Sequence, residues 1–412
     1  MPRAWGYSCG TRMNLIFLTL VRITSVEVRG LYHDLMRKFR DEGHQVYIVI
    51  PCERRLGLET NLVERDGVHI LNVKTLNIQK TNMIEKGLGT LLMERQYRAA
   101  IKQYLGDVRF DLITYSTPPI TFTNVVKYLR RKNPDAVTYL QLKDIFPQNA
   151  VDIGMFSQQS LFYKYFRSKE KELYRVSDFI GCMSPANVSF VLRHNPEIAS
   201  GRVEMAPNSI SVEERMTDLS EKAEIREKYG LPKDRPVFIY GGNLGKPQGI
   251  PFLIECLNAN AWRQDCFFVV VGSGTEYPKL KKWYESTQPT SVKVMNGLPK
   301  HEYEELVRSC DVGLVFLDHR FTIPNYPSRL LSYLENKMPV LCATDPNTDI
   351  GRIAEENRYG YWCESNSVDA FTDSLNLMMK SDREEMGENG YKYLKENYLV
   401  DNTYDSIIKH LA

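Results

Sequence analysis

Three stretches of this chain combine residue types and spacing suited to holding a charged small molecule. The first is Tyr240-Gly-Gly-Asn-Leu-Gly-Lys-Pro-Gln-Gly249, which follows an apolar run and precedes a helical segment, 250–257. Glycines allow backbone to approach a diphosphate closely, and a helix N-terminus carries partial positive charge. Gly242, Asn243, Leu244, Gly245, Lys246 and Gln248 are the candidate contacts. The spacing is neither a Walker loop nor the G-x-G-x-x-G dinucleotide fingerprint, so a plain strand-to-helix turn is the competing reading. The second is the turn Val271-Gly-Ser-Gly274, where Gly272 and Gly274 suit a tight bend beside a ligand or a simple connection. The third runs from Phe321 to Glu335. Ser328, after Pro327, is placed as the N-cap of a helix, and Arg329 as a guanidinium fork beside its first turn, with Leu330 and Ser332 following.

Two further pairs belong to the N-terminal half. Lys143 and Asp144 follow the apolar run 136–142, where Asp144 is placed to orient a hydroxyl and Lys143 to neutralise phosphate; the competing reading is an Asp that caps the next turn. Arg29 and His33 follow the first apolar run, and His33 also reads as an ordinary helix-surface residue. The other six histidines form no ligand-like cluster.

These positions fall where strands end. Short apolar runs alternate with amphipathic stretches along the whole chain, the pattern of parallel sheets covered by helices. In the first half the expected strands are 15–21, 45–50, 68–73, 111–115, 136–142 and 179–183, with helices over 30–42, 84–105 and 121–131. Ser184-Pro185 reads as a helix start. After Pro207-Asn208 a polar stretch contains a helix over 220–229, and the pattern restarts with strands 237–242, 266–271, 292–295, 312–317 and 339–342. The expected domains are 13–207 and 208–397. Of two final helices, 383–397 and 402–411, the last is expected to return to the first domain.

Composition narrows the function classes. A net charge of +2 over 412 residues gives no bulk electrostatic case for nucleic acid. No two of the eight cysteines form a C-x-x-C pair, so buried free thiols in a reducing compartment are expected rather than zinc or disulfides. No apolar run reaches the ~20 residues of a membrane span. Residues 1–12 read as an appended leader, with Met13 as the start. One stretch, 161–176, mixes aromatic and basic residues at helical spacing. It reads either as a domain helix or as a surface for anionic membranes.

Taken in order, Gly241–Gly249, Val271-Gly-Ser-Gly274, Ser309-Cys-Asp-Val-Gly-Leu-Val315 and Pro327-Ser-Arg-Leu-Leu-Ser-Tyr333 ahead of Pro339-Val-Leu resemble glycosyltransferase family 4. Lys143-Asp-Ile-Phe-Pro147 with Gly154, and Asn208 at the linker, are similar to its bacterial surface-polysaccharide branch of the N-acetylfucosamine transferase type. The resemblance implies an α/β chain of GT-B fold, two Rossmann-like domains facing a cleft. It implies a nucleotide sugar on the second domain, an acceptor on the first, retaining transfer without metal or cofactor, and a lipid-diphosphate-linked acceptor at the cytoplasmic membrane face. The sequence departs from the family pattern at Asn243 and Gln248, where Arg and Lys are usual, and at Pro324 and Ser332, where two glutamates are usual. These departures keep two alternatives open: a non-catalytic nucleotide-sugar binder and a nucleotide-sugar epimerase.

Overall fold

The computed structural model describes residues 12–77, 83–213 and 218–411, and only the backbone of 83–91. Its first half is built on an eight-stranded sheet: β1 (Asn14–Leu18), β2 (Gln45–Glu53), β3 (Asn61–Arg65), β4 (Val68–Thr75), β5 (Leu112–Ser116), β6 (Val137–Leu142), β7 (Phe179–Cys182) and β8 (Val203–Met205). They lie in the order β3-β4-β2-β1-β5-β6-β7-β8. All pairs are parallel except β3 with β4. The run Leu15–Leu18 is fully buried because β1 sits mid-sheet, covered on both faces.

The second half carries a six-stranded parallel sheet: β9 (Val237–Asn243), β10 (Phe267–Ser273), β11 (Val292–Asn296), β12 (Val312–Phe316), β13 (Val340–Thr344) and β14 (Gly360–Glu364), in the order β11-β10-β9-β12-β13-β14. The order reverses at β1 in the first sheet and at β9 in the second. An open α/β sheet binds ligands at such a switch point, outside the carboxyl ends of its strands. The glycine-rich turn follows β9, and the segment 317–328 follows β12, its neighbour.

Three strands escape the expected pattern. β3 is almost wholly exposed at the sheet edge, and β8 is only three residues long, so neither shows a buried apolar run. β14 mixes Gly360, Trp362 and Glu364 at the other sheet's edge.

The chain passes between the halves twice, and the two passages lie side by side. Ile210 N donates to Tyr398 O (3.0 Å) and Val400 N to Ile210 O (3.0 Å). The helix Arg383–Asn397 packs on Arg329–Glu335, whereas Val400–Ile408 packs on Leu31–Asp41 of the first half. There Tyr404 sits against Phe39, ring centroids 4.9 Å apart, and meets His44 Nε2 through its hydroxyl (2.9 Å).

Candidate functional site

The glycine-rich turn is shaped first by packing. A Cβ on Gly272 would collide with the Gly242 carbonyl on the neighbouring strand, and one on Gly274 would lie 2.5 Å from the Leu244 backbone. Gly242 takes a φ of 113°, open to glycine and strained for other residues. The result is a turn laid flat on the end of β10, with Gly242, Asn243 and Lys246 exposed.

Three expected contacts point the other way. The side chains of Leu244 and Leu330 are fully enclosed in the apolar cores. Gln248 is buried, and its Oε1 accepts from Gly245 N (3.2 Å), closing the turn from within. Ligand contact through these side chains is therefore corrected: the apolar pair serves the cores and the amide serves the turn. Ser328 is a second correction. The helix does begin at Arg329, but Ser328 already has helical dihedrals and its side chain accepts no cap hydrogen bond. A capping side chain needs an extended backbone to reach back to the first-turn N–H groups.

Arg329 is the unusual residue. Its guanidinium carbon lies 4.4 Å from the centre of the Tyr240 ring. Its Nη1 is enclosed and has no hydrogen-bond partner. Tyr303 and Tyr333 complete the surround: Tyr303 fills the space a Cβ on Gly241 would need, and the Tyr333 hydroxyl accepts from Gly241 N (3.3 Å). Among the described residues no carboxylate forms an ion pair with Arg329. The Arg329 Nη2 lies 3.9 Å from where a Cβ of Gly242 would stand. An uncompensated cation thus sits directly behind the exposed glycine turn.

A cavity of about 240 Å³ separates this region from the first half. Arg29, Asp34, Lys300, Arg308, Ser332 and Glu335 are among its walls. Arg29 Nη2 donates to Glu335 Oε1 across it (2.6 Å), and Lys300 Nζ donates to the Arg29 carbonyl. His33 is half-buried at the same edge; burial, then the nearby Lys300, holds its pKa below the ordinary value. The loop after β12 also bridges the halves: Thr322 N donates to Asp152 Oδ2 (2.7 Å) and Asn187 Nδ2 to Pro324 O (2.9 Å).

Lys143 and Asp144 lie just past β6, their N–H groups both donating to Thr117 Oγ1 (2.9 and 3.2 Å). Burial pushes the Asp144 carboxyl up to about 6, while its Oδ1 accepts from Asn149 Nδ2 (2.7 Å). Burial pushes the Lys143 ammonium down to about 7. Its Nζ donates to Ala206 O (2.9 Å), at the start of the linker. The expectation that Lys143 reaches phosphate is corrected accordingly: its ammonium is engaged inside the first half.

Sequence reasoning missed the tyrosine surround and the Arg29–Glu335 pair. Tyr333 was within reach, one helical turn after Arg329; Tyr303 and Arg29 belong to distant elements. Among the described residues, no three His, Cys, Asp or Glu side chains converge as a metal site would require.

Residues 221–393, which hold the glycine turns and Arg329, match the family model described as glycosyl transferases group 1. The chain is 24% identical over 285 residues to the probable glycosyltransferase WbjE of Pseudomonas aeruginosa, covering 66% of each protein. It thus spans just under two thirds of that relative's length, and smaller parts of the other curated relatives it matches. Among solved structures it resembles sucrose-phosphate synthase of Thermosynechococcus elongatus, with a TM-score of 0.73 and 13% identity, covering 97% of this chain and 98% of that one. It also resembles Anabaena HepE in complex with UDP and glucose, with a TM-score of 0.70 and 14% identity, covering 97% and 99%. These likenesses establish the fold, the two-sheet GT-B architecture.

Proposed function

With a group 1 glycosyltransferase domain in its second half and a GT-B fold overall, we propose that the chain moves a sugar from a nucleoside-diphosphate sugar to an acceptor held by the first half. The observation that carries this reading is Arg329, a cation with an enclosed, unpartnered Nη1 behind an exposed glycine turn. A buried donor without a partner is costly, and a bound diphosphate would relieve that cost. The charge that develops on the departing diphosphate then meets a guanidinium already in place, needing no reorganisation.

In this reading Gly242, Asn243, Lys246, Gly272, Gly274 and Ser328 surround the donor. Ser332 and the cavity beneath it receive the nucleoside end. Asp144, with its raised pKa, orients the acceptor hydroxyl, and Arg29 and His33 line the acceptor side. The transfer is retaining and uses no metal or cofactor, with Arg329 supplying the charge. The acceptor is a lipid-diphosphate-linked glycan of a surface polysaccharide, met at the cytoplasmic face of the membrane. The polysaccharide part of this reading draws on a relative from Escherichia coli, 25% identical over 135 residues, that is named a putative colanic acid biosynthesis glycosyl transferase. Among the described residues no helix is long and apolar enough to cross a membrane.

One observation favours a second reading, a binder without turnover. Ser332 occupies a cavity wall where the family pattern has a glutamate, and the nearby Glu335 is tied to Arg29. A thermal-shift screen with UDP-, GDP-, TDP- and ADP-sugars separates the outcomes. A true donor at a hundredfold excess over Kd adds about 2.7 kcal/mol of stability. A shift followed by nucleotide release with acceptor supports transfer. A shift without release supports the binder, and no shift by any nucleotide overturns both.

A further inference from the structure

Scattered exposed leucines need no explanation, but a cluster does. Met155, Leu161, Phe162 and Tyr165 lie within eleven residues and are 61%, 82%, 69% and 45% exposed. They occupy the loop after the helix Gln148–Asp152 and the first turns of the helix Leu161–Val176. This corner is firmly mounted. Phe146 packs against Phe156 and Phe166, and Tyr163 Oη and Gln158 Nε2 both donate to Gln148 Oε1 (3.2 and 3.1 Å). Ser160 caps the helix, accepting from Tyr163 N (3.1 Å). The exposed apolar groups therefore project from an ordered frame.

The charge around them is one-sided. The helix Leu161–Val176 has five basic residues against two acidic ones, Glu170 and Glu172, which Arg167 and Lys169 engage. It packs on the helix Thr123–Lys132, which contains Lys127, Arg130, Arg131 and Lys132 and no acidic residue; Glu197 pairs with Lys171 and Asp178 with Arg130, which leaves Lys164 and Arg175 outside any ion pair among the described residues. The whole chain is nearly balanced, with 53 basic and 51 acidic residues, so this excess is local.

We infer that this corner docks on an anionic lipid bilayer. Leu161, Phe162, Tyr165 and Met155 enter the headgroup boundary, and Lys164 and Arg175, both exposed, meet lipid phosphates. A second copy of the chain is the poorer occupant, because face-to-face packing would oppose like charges. The location suits the acceptor: the chain runs from Asp144 through the helix Gln148–Asp152 directly to the corner, and Asp152 meets Thr322 of the other half. The inference rests on the acceptor reading above, yet it is tested independently of it.

The experiment is co-sedimentation of the full chain with phosphatidylglycerol-containing and pure phosphatidylcholine vesicles at low and high salt, with nucleotide-sugar thermal shift measured on the same sample. The expected result is binding to the anionic vesicles at low salt, weakened by salt. Leu161→Ser with Phe162→Ser should lower the partition more than tenfold at unchanged melting temperature. Lys164→Gln and Arg175→Gln should each lower it about fivefold. Failure of the parent to bind anionic vesicles while nucleotide sugars still shift it overturns the docking surface alone. Vesicle binding without any nucleotide shift overturns the transferase reading and keeps the surface. Variant partition equal to the parent's, or a parent dimer that the Leu161/Phe162 variant dissociates, also overturns the inference.

Discussion

Replacing Arg329 with methionine should weaken nucleotide-sugar binding while leaving the ligand-free protein close to its present stability. Methionine keeps an apolar stem in the slot beside Tyr240 and removes the charge. In the ligand-free protein an enclosed, unsatisfied donor costs about 1–3 kcal/mol. The ring contact at 4.4 Å gives back ~0.5–2 kcal/mol. The ligand-free variant should therefore lie between about 1 kcal/mol less stable and about 2.5 kcal/mol more stable, which at ~2–4 °C per kcal/mol for a domain of this size is readable by calorimetry. In the complex, the lost guanidinium contact to phosphate is worth ~1.5–3 kcal/mol, so nucleotide-sugar affinity should fall roughly 10- to 150-fold. Arg329→Lys, which keeps charge but loses the planar fork, should fall between the two. Paired calorimetric melting and titration with a nucleotide sugar is the assay. A ligand-free variant that melts several degrees lower, with affinity within twofold of the parent, would refute the reasoning and make Arg329 a packing residue.

Asp144 should set a lower pH limit on transfer, with the rate falling as pH drops through about 6 and its carboxylate is protonated; Asp144→Asn should lose about 10²-fold or more in rate and that pH dependence with it. The same raised pKa works against stability as the group ionises. The contribution is present below its ordinary value of 3.8 and is lost as pH rises through 6, so melting temperature against pH should be flatter in Asp144→Asn over that window. Lys143 has the opposite sign: its depressed pKa contributes stability above 10.5 that is lost as pH falls through about 7, and Lys143→Met should flatten that interval. Gly272→Ala places a methyl group against the Gly242 carbonyl and should cost about 1–3 kcal/mol in denaturant titration. Arg29→Ala severs a contact between the halves. It should cost no more than about 1 kcal/mol while raising the radius of gyration in small-angle scattering; an unchanged radius would mean that the pair does not hold the cleft.

The two sheets were legible in the sequence because their central strands are buried on both faces. Runs such as Val237–Tyr240 and Val312–Phe316 are continuously apolar, and their shortness and β-branched and aromatic content mark them as covered parallel strands rather than buried helices. Glycines at strand ends likewise announced the turn near Gly242, and Ser328 after Pro327 announced the start of a helix. What failed was local in another sense. β3 lies on an exposed edge where burial imposes no pattern, and Ser328 carries a capping side chain on a backbone that is already helical.

By itself, then, the sequence determined the alternation of elements, the restart after the linker, and the strand ends at which a ligand site must lie. Periodicity records which face of an element is covered, and that is a local property. Only the tertiary structure decided that Leu244 and Leu330 belong to the cores, and that Arg329 is backed by Tyr240, Tyr303 and Tyr333 rather than by a carboxylate. It alone brought Arg29 to Glu335, 306 residues apart, across the cleft. The physical reason is that burial leaves its mark on each element separately, whereas the identity of the covering side chain depends on how distant elements pack.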